Sequence, residues 1–251
     1  TTGEFFCDRA ELGEYAWFIE TDKGSVQPVA TKKPNPWGLH DMSGSLWEWT
    51  ADRYADHLAG GDDPRGPASG TSRVLRGGSW SRTAGFCSAA YRFTDSPDSS
   101  YINLGFRLLA AVGPAERVGG SAETGAAKGT VMAPSSSGSG WIGRKAGDRK
   151  VVEFRGQKIA FRWCPPGSFR MGKAPGVKVN LPQGFWMLET ELTQGLWTAV
   201  EGKELDWSTW GKGPNHPVYN VSHDRAVAFI AKLNLLLHQE NVIPADVQLA
   251  L

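Results

Sequence analysis

The sequence predicts a loop-rich α+β fold with short strands and few helices. Three observations predict it. Eleven Trp and 31 Gly in 251 residues suit an irregular chain pinned by large aromatic anchors, with glycine where the backbone takes shapes other residues resist. Several short apolar or β-branched runs are bounded by turn residues and read as strands. Sustained helical periodicity is clearest in the stretch after Ser222.

Taken in order, Trp47-Glu48-Trp49 and Arg73-Val74-Leu75-Arg76 are predicted to be extended, and Gly77-Gly78 breaks the second run. Ser96-Pro97-Asp98-Ser99-Ser100 is a turn by its chemistry. Leu104 to Leu109 reads as one closing strand. Lys150 to Phe154 and Lys158 to Trp163 read as two strands around the turn Arg155-Gly156-Gln157, and Gly184 to Leu188 as another. Thr193 is placed to cap a short helix carrying Leu196, Trp197 and Val200. Ser222 caps the best helix. Its Ala226, Phe229, Ile230, Leu233 and Leu237 recur at helical spacing as core residues, and Pro244 is predicted to end it.

Composition divides the chain into three: residues 1–109, rich in aromatics and glycine; 110–149, largely Ala, Gly, Ser, Pro and Thr, predicted to be a flexible linker; and 150–251, globular again. A net charge of +1 gives no electrostatic ground for nucleic acid or an anionic membrane as partner. No apolar run approaches the roughly 20 residues of a membrane span. Thr1 to Phe6 lacks the regions of a signal peptide, and the chain reads as starting inside a domain. Cys7, Cys87 and Cys164 are odd in number and widely spaced, which matches neither a disulfide framework nor a zinc pattern and leaves the compartment open. Histidines 40, 57, 216, 223 and 238 have no metal-ligand spacing. Asp62-Asp63 reads as a solvated loop. Arg76 and Arg107 read as braces of the fold through paired hydrogen bonds.

Longer words carry more. Asn35-Pro36-Trp37-Gly38-Leu39-His40-Asp41-Met42-Ser43-Gly44-Ser45-Leu46-Trp47-Glu48-Trp49 is followed by Arg73-Val74-Leu75-Arg76-Gly77-Gly78-Ser79-Trp80, then by Ser96 to Arg107 with Asn103-Leu104-Gly105-Phe106-Arg107. In this order the blocks resemble the C-terminal half of the formylglycine-generating-enzyme (sulfatase-modifying-factor) family. Pro166-Gly167-Ser168-Phe169-Arg170-Met171-Gly172, Glu191-Leu192-Thr193 and His216 to Ser222 resemble that family's N-terminal half. The resemblance covers all but the linker and implies a fold related to C-type lectins. The residue-level reading agrees with that fold without specifying it. The halves stand in inverted order, and the block that usually joins them is missing after Val247 to Leu251. The simplest expectation is the tail of one tandem copy, a linker, and the head of the next.

Asp41 and Glu48 flank a glycine-containing turn that could aim carbonyls at a calcium ion, which takes six to eight hard oxygens. The plainer reading of these residues alone is a capping Asp and an exposed Glu forming ordinary hydrogen bonds. The resemblance implies calcium ligands at Asp41 and Glu48 by side chain and at Gly44 and Leu46 by main chain, with Ser45 where the family usually has Asn. It also implies that active members hold Cu(I) with two cysteines, three and eight residues after the serine of Gly-Gly-Ser. Counted from Ser79, those positions are Arg82 and Cys87. Copper is therefore expected only if Cys87 is catalytic after all. A guanidinium cannot replace a thiolate, and soft Cu(I) favours paired thiolates. Trp47 and Ser79 match positions lining the family's substrate groove, although Trp47 reads equally well as core.

The leading functional expectation is a calcium-stabilised recognition module without the oxidase chemistry, taking a peptide, protein or small ligand in a surface groove. Ser81 to Asn103 falls where retroelement-diversified lectin-like proteins of this superfamily vary their ligand-binding residues. The corresponding surface is Ser81, Arg82, Thr83, Phe93, Thr94, Asp95, Tyr101 and Ile102. The alternatives are an active oxidase that modifies a sulfatase cysteine, and a structural repeat packed against other half-domains of a tandem array. The resemblance favours an extracytoplasmic setting.

Overall fold

The computed structural model describes residues 9–113, 140–173 and 175–251. In chain order the first segment carries helix α1 (Leu12–Tyr15) and strands β1 (Trp47–Arg53), β2 (Gly61–Asp62), β3 (Arg73–Arg76), β4 (Phe93–Asp95), β5 (Leu104–Phe106) and β6 (Leu109–Val112). The second carries β7 (Arg149–Phe154), β8 (Gln157–Cys164), β9 (Gly167–Met171), β10 (Val177–Leu181), β11 (Phe185–Leu188), helices α2 (Gln194–Glu201) and α3 (His223–Gln239), and β12 (Val247–Ala250). Short strands, few helices and long ordered connections make this the loop-rich α+β architecture that the sequence predicts.

Three sheets form, in the orders β4-β3-β1-β5, β2-β10-β9 and β12-β6-β11-β8-β7. Two of the three draw strands from both segments. β2 pairs parallel with β10, and β6 pairs antiparallel with both β11 and β12. One apolar core also spans both segments. Phe106 meets Phe229 edge to face at 5.9 Å, and Phe229 stacks on Trp197 at 4.7 Å. The buried Trp49 indole donates to the Val221 carbonyl at 3.0 Å, so this large side chain is buried with its one polar atom satisfied.

The locally signalled elements lie close to their predicted bounds. Thr193 Oγ1 accepts from Leu196 N, and Ser222 Oγ accepts from Arg225 N, each taking one of the orphan N–H groups of its helix. The buried face of α3 carries Ala226, Phe229, Ile230, Leu233 and Leu237.

Four expectations are corrected. The single closing strand from Leu104 to Leu109 is two strands in two sheets, turning at Arg107 and Leu108. Apart from Arg107 the run has no polar side chain, and a single arginine does not mark a change of sheet. Helix α3 ends at Gln239, ahead of Pro244, because Asn241 takes a left-handed φ of 54° and Val242 N closes back on the Leu237 carbonyl at 2.8 Å. Ala110 to Val112, assigned to the linker by composition, lie in β6, and Trp141 at its other end is buried. Residues 114–139 of that linker, like Cys7, lie outside the described residues. Asp62, expected in a solvated loop, sits in β2 and accepts from Asn180 Nδ2 at 2.9 Å.

Candidate functional site

The loop from Asn35 to Leu46 is held from within and from three sides. Asn35 Oδ1 accepts from Trp37 N and Leu39 N, forming the tight turn that starts it. His40 N donates to the Glu189 carbonyl, Gly44 N to Gly77 O, and Ser45 N to Trp17 O. Asp41, Gly44 and Ser45 all take positive φ, a backbone that Asp and Asn tolerate better than most residues. A side chain at Gly44 would place its Cβ 2.1 Å from the Trp17 carbonyl oxygen, so this close approach requires glycine.

That loop sinks Asp41 into the protein. Asp41 is 3% exposed, its Oδ2 accepts from Ala30 N at 2.8 Å, and its Oδ1 has no partner. The corner between β5 and β6 aims Arg107 into the same region. Its Nε and Nη2 grip Glu48 of β1, with Nη2 at 2.8 Å from Oε1, while Nη1 and a second Nη2 bond reach the carbonyls of Leu188 and His40. Arg107 is thus the brace the sequence suggests. Just after β11 comes Glu191, 0% exposed; neither of its carboxylate oxygens completes a hydrogen bond of ordinary geometry, although the Ser45 hydroxyl beside it favours the charged form weakly.

The charges do not balance. Asp41, Glu48 and Glu191 offer three carboxylates to the single guanidinium of Arg107 and interact electrostatically with it and with one another. Fully ionised, the cluster carries two negative charges in excess inside the protein, a costly arrangement without a counterion. Burial pushes Asp41 up, against the Ala30 hydrogen bond and Arg107. Burial, and then the Asp41 carboxylate, hold Glu191 well above the usual carboxylate range. Burial alone would lower the Arg107 guanidinium, but Glu48, Glu191 and Asp41 outweigh it and hold it charged.

An orphaned Asp41 oxygen, two orphaned Glu191 oxygens and a surplus of two charges fit a divalent cation with hard-oxygen preference. Among the described residues no three His, Cys, Asp or Glu side chains already cluster as a metal site. Main-chain carbonyls would have to complete any calcium shell, as the assignment of Gly44 and Leu46 requires. Both plain readings of the sequence change: Asp41 is buried rather than a surface cap, and Glu48 is paired rather than exposed. Sequence reasoning used Glu191 only as part of a fold signature. Its neighbours Glu189, Thr190 and Thr193 are polar too, so nothing local singles it out.

The presumed chemical face looks different. Cys87 is buried and burial pushes its thiol up to about 12, so it is protonated at neutral pH. Arg82, at the companion position, is exposed and lies over the Phe86 ring at 5.9 Å. With Arg82 at the companion position, Cys87 lacks the second thiolate that a Cu(I) pair needs. Trp47 is 1% exposed, stacked on Phe93 at 5.3 Å and close to Phe86 and Tyr91. Ser79 is 0% exposed, with its hydroxyl near Ser81 Oγ and Asn103 Nδ2. The expected groove lining is thereby corrected: Trp47 and Ser79 are covered by the side chains around them. The eight candidate surface residues are all at least partly exposed, Tyr101 at 53%. They come from β4 itself, from the connection between β3 and β4, and from the connection that precedes β5.

Comparisons with known proteins bear on the first segment. Residues 7–112 match the profile of the sulfatase-modifying factor enzyme 1-like domain. Mouse formylglycine-generating enzyme is 41% identical over 88 residues, which is 33% of this chain and 24% of that protein. The mouse protein named inactive C-alpha-formylglycine-generating enzyme 2 is 39% identical over 94 residues, 35% of this chain and 27% of its own length. Among solved structures, Treponema denticola variable protein 1 shares 42% identity over 39% of this chain and 37% of that one, with a TM-score of 0.38. The chain spans about a quarter of the length of the two mouse relatives.

Proposed function

We propose that the chain, whose residues 7–112 match the sulfatase-modifying factor enzyme 1-like domain, is a calcium-stabilised recognition module of that family without cysteine-oxidase activity. The observation that carries the proposal is the pair Arg82 and Cys87. A guanidinium stands where the family resemblance puts the first copper thiolate, and the second thiol, Cys87, is buried without a paired sulfur at that position. The relative named as inactive supports the same reading.

Calcium is the cofactor that the buried charge supports. Asp41 and Glu191 have oxygens to give, Glu48 balances Arg107, and Gly44 and Leu46 would add carbonyls. Bound there, calcium would cancel the surplus charge and tie the loop of the first segment to the connection carrying Glu191. The recognition surface is Ser81 to Thr83, Phe93 to Asp95, Tyr101 and Ile102, facing a peptide, protein or small ligand. Among the described residues no helix is long and apolar enough to cross a membrane.

Thermal unfolding with calcium and with chelator, run beside a Cu(I) titration against a competing chelator, tests the proposal. The melting point should rise with calcium, lose that response in Asp41→Ala, and show no tight copper. The relative named formylglycine-generating enzyme favours a second reading, an active oxidase acting on a sulfatase cysteine. Stoichiometric tight copper that disappears in Cys87→Ser would put that reading first.

A further inference from the structure

The surface around the far end of β1 holds a cleft of about 260 Å3, separate from the carboxylate cluster. Arg53, Arg65, Arg76 and Arg92 line it, and Asp52 is the one carboxylate among its lining residues. Asp52 itself accepts from Gly66 N at 3.0 Å. Leu58 and Val74 give the cleft apolar wall, and Met171 of β9 closes it from the second segment.

The side-chain hydrogen bonds of Arg53, Arg76 and Arg92 go to neutral acceptors. Arg53 Nη1 donates to the Ala68 carbonyl at 2.9 Å, Arg76 Nη1 to the Tyr91 carbonyl at 2.5 Å, and Arg92 Nη2 to the Asp56 carbonyl at 3.1 Å. Arg92 also lies over the Tyr54 ring at 5.0 Å. None of these three appears in an ion pair among the described residues. Each keeps donors to spare, since a guanidinium carries five N–H groups. Arg76 is half-buried, and Arg92 is close enough to lower its guanidinium further, after the larger effect of burial and against a smaller opposing pull from Asp52. Two like charges are thus held together in a partly desolvated cleft, where an anion would relieve both.

Planar guanidinium forks match the oxygens of phosphate, sulfate and related groups. The volume is below the roughly 300–1,000 Å3 of pockets for drug-sized ligands, so the guest is small. The apolar wall makes a fully hydrated inorganic ion the poorer fit. We infer that this cleft binds a small organic monoester of phosphate or sulfate, with Arg76 and Arg92 on the oxyanion and Leu58, Val74 and Met171 against the organic part. This corrects the sequence reading of Arg76 as a brace with paired hydrogen bonds, since its one side-chain hydrogen bond among the described residues is to the Tyr91 carbonyl.

Titration calorimetry on the full chain with phenyl phosphate and phenyl sulfate, against inorganic phosphate and against sodium chloride at matched ionic strength, tests the inference. At least one phenyl ester should bind saturably and at least tenfold more tightly than inorganic phosphate, and the two esters distinguish phosphate from sulfate. Arg92→Gln should weaken that binding at least tenfold, and Arg92→Lys should recover part of it. If Arg76→Gln does not fold, Arg92→Gln and Leu58→Ala carry the test, the latter weakening the phenyl esters but not inorganic phosphate. Heats no different from those of chloride, or ester binding unchanged in Arg92→Gln, would overturn it.

Discussion

Arg107 holds Glu48 with two nitrogens at once, Nη2 at 2.8 Å and Nε at 3.1 Å from Oε1, in a pocket where the arginine is 5% exposed. Its remaining donors reach main-chain carbonyls on both segments. Arg107→Met removes the guanidinium that faces Asp41, Glu48 and Glu191. Removing one partner of a buried pair typically costs about 3–5 kcal/mol, and chemical denaturation should show a loss of that order. A loss under about 1 kcal/mol would mean that water already reaches Glu48 and Glu191.

The same cluster makes stability depend on pH with a definite sign. Asp41 and Glu191 have folded values raised by burial above their ordinary 3.8 and 4.5. A raised carboxyl binds its proton more tightly in the folded state. Its contribution is complete below the ordinary value and is lost as pH climbs through the raised one. In chelator, stability should therefore fall as pH rises from the ordinary carboxylate range toward neutrality, and Glu191→Gln should flatten that fall. With saturating calcium the fall should vanish or reverse, because the ion requires both groups ionised. Identical pH profiles with and without calcium would remove these two carboxylates from any metal site.

Gly44→Ala should be among the most damaging of conservative changes. The residue has a φ of 79°, and its new Cβ would meet the Trp17 oxygen at 2.1 Å. The left-handed backbone alone costs roughly 1–2 kcal/mol for an L-residue, and relieving the overlap requires moving the loop that carries Asp41. Denaturation should show a loss beyond that figure, together with a weakened calcium response. Near wild-type stability would show that the contact between Trp17 and Gly44 is not kept in solution.

The thiols offer a third kind of readout. Cys87 and Cys164 are both buried and both pushed up to about 12 by burial. Reaction with a water-soluble disulfide reagent at pH 8 should leave these two unmodified in the native protein and release them on unfolding. Rapid native modification of Cys87, tracked by peptide mapping, would place a reactive thiolate on the surface and revive the oxidase reading.

What the sequence made legible was local. Ser222 and Thr193 announce their helices because an N-cap acts within three residues, and Arg155-Gly156 announces its hairpin because Arg155 and Gly156 supply the positive φ the turn needs. The change of sheet at Arg107 gave no such sign. It is decided by Glu48 and by strands that lie far along the chain. Glu191 was hidden for the same reason: its meaning comes from Asp41, a neighbour in space from the other segment. Trp47 misled in the opposite direction. Its resemblance to a groove residue was visible, whereas the rings of Phe86, Tyr91 and Phe93 that cover it become apparent only after folding.

β6 occupies an interior place in its sheet, between β11 and β12. Without it, two strands of the second segment would each present an open edge, with a gap one strand wide between them. Such a gap is a receptor for any extended chain of suitable apolar sequence. Expressed alone, the second segment should therefore be prone to capture foreign strands or self-associate. Supplied with the first segment as a separate polypeptide, it should recover a soluble heterodimer, so that a protease nick between the segments would leave the assembly intact.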